Sequence, residues 1–248
     1  MAFIQMALSS SSLELDVHVN VITPERREEP SKVLYLLHGL SGDHTSWTRK
    51  TSIERYARKY NLTVVMPAVG RSWYTDMGKA KNYYTYVAEE LPKLISNIFN
   101  VSTKREDTYV AGLSMGGYGA MKLLLANPDK FCKGASFSGA VDISSRFQLW
   151  KTPELEEIFG VDGPQGINDT MKLLESCAEA PEKPPIYLSC GTNDRLHPLN
   201  ISFRDKAIAL GYDVTYSEEP ETHNWGYWDR QIKEALVWML GESKVATD

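Results

Sequence analysis

Cysteine is scarce in this 248-residue chain: Cys132, Cys177 and Cys190 are all it has. They are odd in number and none stands in a C-x-x-C pair, which argues against a disulfide framework or a zinc site. Cys132 and Cys190 fall in apolar, strand-like runs, so buried free thiols in a reducing cytoplasm are the expectation. Basic clusters are missing too. No Lys/Arg run exceeds two residues, and 27 basic against 32 acidic side chains leave a formal charge of −5. A mildly acidic chain is a poor ligand for phosphate backbones, so no nucleic-acid partner is expected. Long hydrophobic runs are also absent. The longest stretch free of Asp, Glu, Lys and Arg is 14 residues, Thr108–Met121, and it holds four glycines and a serine. A membrane span needs about 18 or more apolar residues. The opening M-A-F-I-Q-M-A-L-S-S has no basic segment ahead of an apolar one. Neither a secretory signal nor a membrane partner is therefore expected. No repeat with a period of about 20–50 residues is present.

What remains is ordinary globular material. An apolar share of 42% and a charged share of 24% argue against a mainly disordered or collagen-like chain. A mass of 28.0 kDa lets about 70% of the chain's surface be buried, so the core needs no staples. The reading is a single domain over 1–248.

Two early runs, Phe3–Leu8 and Leu13–Ile22, read as strands. The second alternates as L-E-L-D-V-H-V-N-V-I, which suggests an antiparallel pair with one wet face carrying Asp16, His18 and Asn20. The pattern then becomes strand, helix, strand. Apolar runs at Lys32–Leu37, Leu62–Met66, Asp107–Leu113, Cys132–Phe137, Pro185–Cys190 and Asp213–Ser217 alternate with helical spacing at Ser52–Tyr60, Tyr84–Phe99, Met115–Ala126, Leu199–Leu210 and Tyr227–Leu240. Short continuous apolar strands between helices indicate an α/β fold with a mostly parallel central sheet covered on both faces. One segment, about 142–182, shows no strand; it is a lid or specificity element, or else a helix pair packed on the sheet edge.

The chemistry centres on G-L-S-M-G-G, Gly112–Gly117, between a strand and a helix. In that setting G-x-S-x-G is a nucleophile elbow: Ser114 sits on a strained turn, and Gly112 and Gly116 relieve clashes with neighbouring backbone. The Met115 amide, at the helix N-terminus, faces a developing oxyanion. A serine hydroxyl needs a base. His18 faces solvent, His38 follows the first parallel strand as a structural loop residue, His44 lies at the surface or a pocket rim, and His197 opens a helix. His223, in P-E-T-H-N-W between the last strand and last helix, is the candidate base. The chain order Ser…Asp…His points to Asp194, after the strand I-Y-L-S-C, as the orienting acid; Asp142 is the alternative. His38-Gly39 makes the Leu40 amide the second oxyanion donor. All four positions follow carboxyl ends of expected parallel strands, where open α/β sheets place their sites. Trp73, Tyr74 and Trp225 are the aromatics expected to bind substrate, with Trp150 a further candidate. Arg71 is either an anion reader or a surface ion pair.

The stretches L-L-H-G-L-S-G (36–42), Y-Y-T-Y-V-A-E-E-L-P (83–92), S-T-K-R-E (102–106), G-L-S-M-G-G-Y-G (112–119), A-S-F-S-G-A (135–140), C-G-T-N-D (190–194) and T-H-N-W-G-Y-W (222–228) span nearly the whole chain. Through them it resembles the tributyrin esterase branch of the esterase D and S-formylglutathione hydrolase group of α/β-hydrolases. The resemblance implies a cofactor-free, metal-free serine esterase for short acyl esters, often a homo-oligomer. It places the nucleophile, acid and base on Ser114, Asp194 and His223, and the oxyanion amides on Leu40 and Met115. Two features depart from the pattern: Arg195 follows the acid where the family often has an apolar or aromatic residue, and the 142–182 segment is short. A cation at 195 either keeps Asp194 ionised or binds an acidic substrate group. Competing readings are an S-formylglutathione thioesterase, a carbohydrate acetyl or feruloyl esterase, an acyltransferase, and, in another class, a non-catalytic binding module.

Overall fold

The structure is a computed structural model that describes residues 1–26 and 28–242; the last six residues of the expected 1–248 unit lie outside the described residues. In chain order, β1 (Ala2–Ser10) and β2 (Leu15–Thr23) are followed by β3 (Lys32–Leu37), α1 (Ser46–Lys50), α2 (Ile53–Ala57) and β4 (Leu62–Pro67). Next come α3 (Tyr83–Thr85), a π turn (Tyr86–Glu90), α4 (Leu91–Ile98), β5 (Thr108–Leu113), α5 (Met115–Ala126) and β6 (Lys133–Phe137). The chain continues through α6 (Ile143–Trp150), α7 (Pro153–Phe159), α8 (Thr170–Cys177), β7 (Ile186–Ser189), α9 (His197–Ala209), β8 (Val214–Ser217) and α10 (Trp225–Leu240).

The eight strands form one sheet in the order β1-β2-β4-β3-β5-β6-β7-β8. β1 and β2 pair antiparallel from Ala2↔Thr23 to Ser10↔Leu15, and β2 runs antiparallel to β4. From β4 to β8 every pairing is parallel. The sequence accounts for this. K-V-L-Y-L-L in β3 is apolar without a break because both its faces are covered: Val33, Tyr35 and Leu37 enter one core, Leu34 and Leu36 the other. α4, α5, α8 and α9 cover the first face, and α1, α2 and α10 the second.

Several details differ from the sequence reading. The helix expected at Tyr84–Phe99 is interrupted by the π turn. Pro92 has no N–H, and a ring there would collide with the carbonyl four residues back. The extra residue of the π turn relieves that collision, and the Lys130 ammonium donates to the Ala88 carbonyl at 3.4 Å. The short α1 was not anticipated, since five residues give too little periodicity. Asn20 is fully buried, not wet, and its side-chain amide has no hydrogen-bond partner. His18 is exposed, but the loop carrying His44 closes over this end of β2 and stacks the two imidazoles 5.4 Å apart. Cys132 is only half-buried, just ahead of β6, with its thiol 3.4 Å from the Glu106 carbonyl; Cys177 and Cys190 are buried. The 142–182 segment folds as three α-helices and a single 3-10 turn (Gly166–Asn168), and among the described residues no helix is long and apolar enough to cross a membrane.

Candidate active site

β5 ends at Leu113 and α5 begins at Met115, so one residue makes the turn. Ser114 has φ 54° and ψ −116°, a backbone conformation that disfavours any side chain. The turn is held from three directions: Ser114 N–H donates to Phe137 O at 2.9 Å, and the Ser114 carbonyl accepts from Tyr118 N–H (3.1 Å) and Ala140 N–H (3.2 Å). The start of α5 leans on the end of β3. A Cβ on Gly116 would lie 2.4 Å from Leu37 O and 2.6 Å from His38 O. Glycine is required there by the closeness of two backbones.

Behind the serine, His223 Nε2 stands 3.1 Å from Ser114 Oγ, and His223 Nδ1 is 2.7 Å from Asp194 Oδ2. The Asp194 carboxylate is sealed from solvent, and its other oxygen accepts from Leu196 N–H at 2.9 Å. Burial alone would raise the Asp194 carboxyl. The hydrogen bonds from His223 and the Leu196 amide outweigh it and hold the group below its ordinary value. An ionised Asp194 fixes the tautomer with the proton on Nδ1, leaving Nε2 free to accept from the serine hydroxyl. The two loops that carry these side chains are stitched by backbone bonds, Thr192 N–H to Glu219 O (2.8 Å) and Asn193 N–H to Glu221 O (3.0 Å). Asp142, the alternative acid, instead caps α6, accepting from Ser145 N–H. His197 opens α9 and pairs with Glu218.

His38 is buried and organises the loop after β3. Burial lowers its pKa, so it is neutral. Val69 N–H donates to Nε2 (3.1 Å), which leaves the proton on Nδ1 to donate to Gly39 O (2.8 Å); that carbonyl also accepts from Gly42 N–H (2.9 Å). Across a trans peptide the N–H points opposite to the C=O. The Leu40 N–H is therefore directed away from His38. Among the described residues neither the Leu40 nor the Met115 amide has an acceptor. Both residues line the same cavity as Ser114.

That cavity measures about 280 Å³ and is mainly apolar, with Trp73, Ile143, Trp150 and Leu155 on its walls. Of the three aromatics expected to bind substrate, Trp73 lines it, packed edge-on against Tyr118 and Phe159. Tyr74 does not. It is fully buried and its hydroxyl donates to His38 O at 2.8 Å, bracing the loop from behind. Trp225 also stands outside the cavity, because Asn224 caps α10 and turns the next side chain onto Trp47 and Trp228. Trp228 was missed. One turn into α10, its ring meets His223 edge-on at 4.8 Å while its indole N–H donates to Ser138 Oγ at 3.1 Å. Arg71 pairs bidentately with Glu154, joining the 70–83 loop to α7.

A buried lysine, also missed, backs the cavity wall. Lys122 of α5 donates to Tyr74 O (2.8 Å), Thr75 Oγ1 (3.1 Å) and Asn168 Oδ1 (2.5 Å), between the rings of Tyr84 and Tyr118. Burial pushes its ammonium down to about 7. Among the described residues no cluster of His, Cys, Asp or Glu has the makings of a metal site.

Known proteins resemble this chain over almost its full length. An acetyl esterase of Caldicellulosiruptor saccharolyticus is 28% identical over 269 aligned positions, covering 96% of this chain and 98% of that protein. A substrate-bound structure of FphF, a fluorophosphonate-binding serine hydrolase of Staphylococcus aureus, superposes with a TM-score of 0.89 at 33% identity, covering 97% and 99% of the two chains. The S-formylglutathione hydrolase FrmB of Staphylococcus aureus superposes at 0.87 with 35% identity, covering 96% and 98%. Such likeness makes the architecture an α/β-hydrolase fold. The Esterase family model matches residues 10–239, from the end of β1 into the last turn of α10, and the chain belongs to that family.

Proposed function

We propose that the chain is a serine carboxylesterase for short acyl esters, working through an acyl-enzyme on Ser114. The observation that carries this is the hydrogen-bonded line Asp194–His223–Ser114 opening on a cavity that also receives two unengaged amides. In the first half-reaction His223 Nε2 takes the hydroxyl proton as Ser114 Oγ bonds to the ester carbonyl carbon. Asp194 holds the resulting imidazolium, and the Leu40 and Met115 N–H groups donate to the oxyanion. The tetrahedral intermediate then breaks its bond to the alcohol oxygen, which leaves with the proton from His223. Water repeats the sequence on the acyl-enzyme and releases the acid. Trp228, held through Ser138, keeps the imidazole in place.

Two features support the short-chain preference. The cavity is at the small end of ligand sites, which run about 300–1,000 Å³. Trp73, on the cavity wall, is also held edge-on against Phe159. The kinship with an acetyl esterase and the resemblance to tributyrin esterases point the same way. The likeness to an S-formylglutathione hydrolase favours a second reading, a thioesterase using the same groups on a thiol leaving group. The test is a p-nitrophenyl ester series from C2 to C12, with S-formylglutathione and an acetylated sugar alongside. A maximum at C2–C4 that disappears in Ser114→Ala is expected. Equal turnover by the wild type and Ser114→Ala would refute the mechanism.

A further inference from the structure

The charges around the cavity at Ser114 are not all matched by a partner. Four charged residues bear on it: Arg71, Glu154, Asp194 and Arg195. Glu154 is saturated by the bidentate guanidinium of Arg71, so these two cancel. The Asp194 carboxylate has no exposed surface and is committed to His223 and the Leu196 amide. Arg195 is different. It follows Asp194 immediately, its side chain is exposed on the cavity wall, and among the described residues it has neither an ion pair nor a hydrogen bond. One unopposed guanidinium thus faces an apolar space in a chain whose net charge is −5.

Several arginines elsewhere in the molecule are taken by carboxylates of the chain: Arg105 pairs with Glu182, Arg204 with Asp205, and Arg230 with both Glu219 and Glu221. Among the described residues Arg195 pairs with no carboxylate, while the cavity it lines is the space open to a substrate at Ser114. A guanidinium fork matches a carboxylate with two parallel N–H···O bonds, and a neighbouring low-dielectric wall strengthens them.

We infer that the preferred substrates are short esters that carry a free carboxylate, read by Arg195. This rests on the serine-esterase reading above and narrows its substrate class. The carboxylate can sit on the acyl part, as in a half-ester of a dicarboxylic acid, or on the leaving alcohol, as in an ester of a hydroxy acid. The apolar walls accept the short skeleton between the two ends.

Two matched pairs separate these sources: monomethyl glutarate against dimethyl glutarate for the acyl side, and 4-acetoxybenzoate against 4-acetoxybenzamide for the alcohol side. For each pair the ratio of kcat/KM, anionic over neutral, is measured for the wild type, Arg195→Gln and Arg195→Lys. In at least one pair, Arg195→Gln should lower that ratio about tenfold, mostly through KM, with Arg195→Lys in between. The wild-type ratio should also fall as salt is raised. A merely structural role for Arg195 would move both members of a pair together and leave the ratio alone. If the neutral esters are cleaved but Arg195→Gln changes neither ratio, this proposal is overturned and the esterase reading stands. If the wild type cleaves all four no faster than Ser114→Ala, the esterase reading itself fails and takes this one with it.

Discussion

Replacing Lys122 by Met would remove a charge from the core while keeping the length of the side chain. The pH dependence of the effect can be worked out beforehand. An ammonium in the unfolded chain titrates near its ordinary 10.5; burial pushes Lys122 down to about 7 in the fold. Between these values the unfolded chain binds more protons than the folded one, so stability rises with pH. Below about 7 both states are protonated and the contribution is flat at its most destabilising. Integrating from pH 7 to pH 9 gives a gain of about 2.3 kcal/mol that Lys122→Met cannot share. For a chain of this size that is a change of about 5–9 °C in the difference between the two melting temperatures. The assay is a pair of thermal melts at pH 6, 7, 8 and 9. Taking the difference removes the titrating groups that do not interact with Lys122. A difference constant across the series would refute the reasoning. It would mean that three oxygen acceptors and the rings of Tyr84 and Tyr118 keep the ammonium as basic as in water.

Gly116→Ala forces a methyl group against two carbonyl oxygens that belong to backbone. A loss of about 3 kcal/mol and an ester turnover lower by about 100-fold are expected; a variant that melts and turns over like the wild type would contradict the packing argument. Glu90 accepts from Ser10 Oγ, both donors of Ser11 and the Ser12 amide, and these bonds overcome the effect of burial to bring its carboxyl down to about 2. Because that value is depressed, the stabilisation is present above pH 4.5 and is lost as pH falls toward 2. Glu90→Gln should be less stable by about 1 kcal/mol at pH 7, discounted for partial exposure, with most of the gap gone near pH 2. Urea midpoints at the two pH values measure it, and an unchanged gap would count against the assignment.

Legibility followed the range of the forces involved. β3 and α5 could be read to the residue because each is punctuated locally: β3 by an unbroken apolar run, α5 by the glycines before it and Asn127-Pro128 after it. Ser114, Asp194 and His223 could be singled out because each follows a strand end, and in the structure their side chains meet. Periodicity says nothing about contacts made by distant segments. Trp73 and Tyr74 are neighbours with the same positive φ (51°), yet one lines the cavity and the other is fully buried away from it. The burial of Lys122 comes from the 72–75 turn and Asn168, segments far from it in sequence. Trp225 is adjacent to the candidate base in sequence but does not line the cavity, while Trp228, one turn farther on, touches His223. Asn20 obeys the alternation of its strand and is buried all the same, which the alternation alone could not reveal.

The anchoring of the loop after β3 has a thermodynamic consequence. Gly39 O is claimed twice, by the His38 ring and by Gly42 N–H, with Tyr74 bracing the same loop from behind. The loop thus has little freedom left for a ligand to remove. Under the proposed mechanism, the dipoles that meet the oxyanion are oriented when the chain folds, once per molecule, instead of once per turnover. A tetrahedral adduct such as a boronate should then bind with little loss of chain entropy and leave residues 38–42 where they already stand.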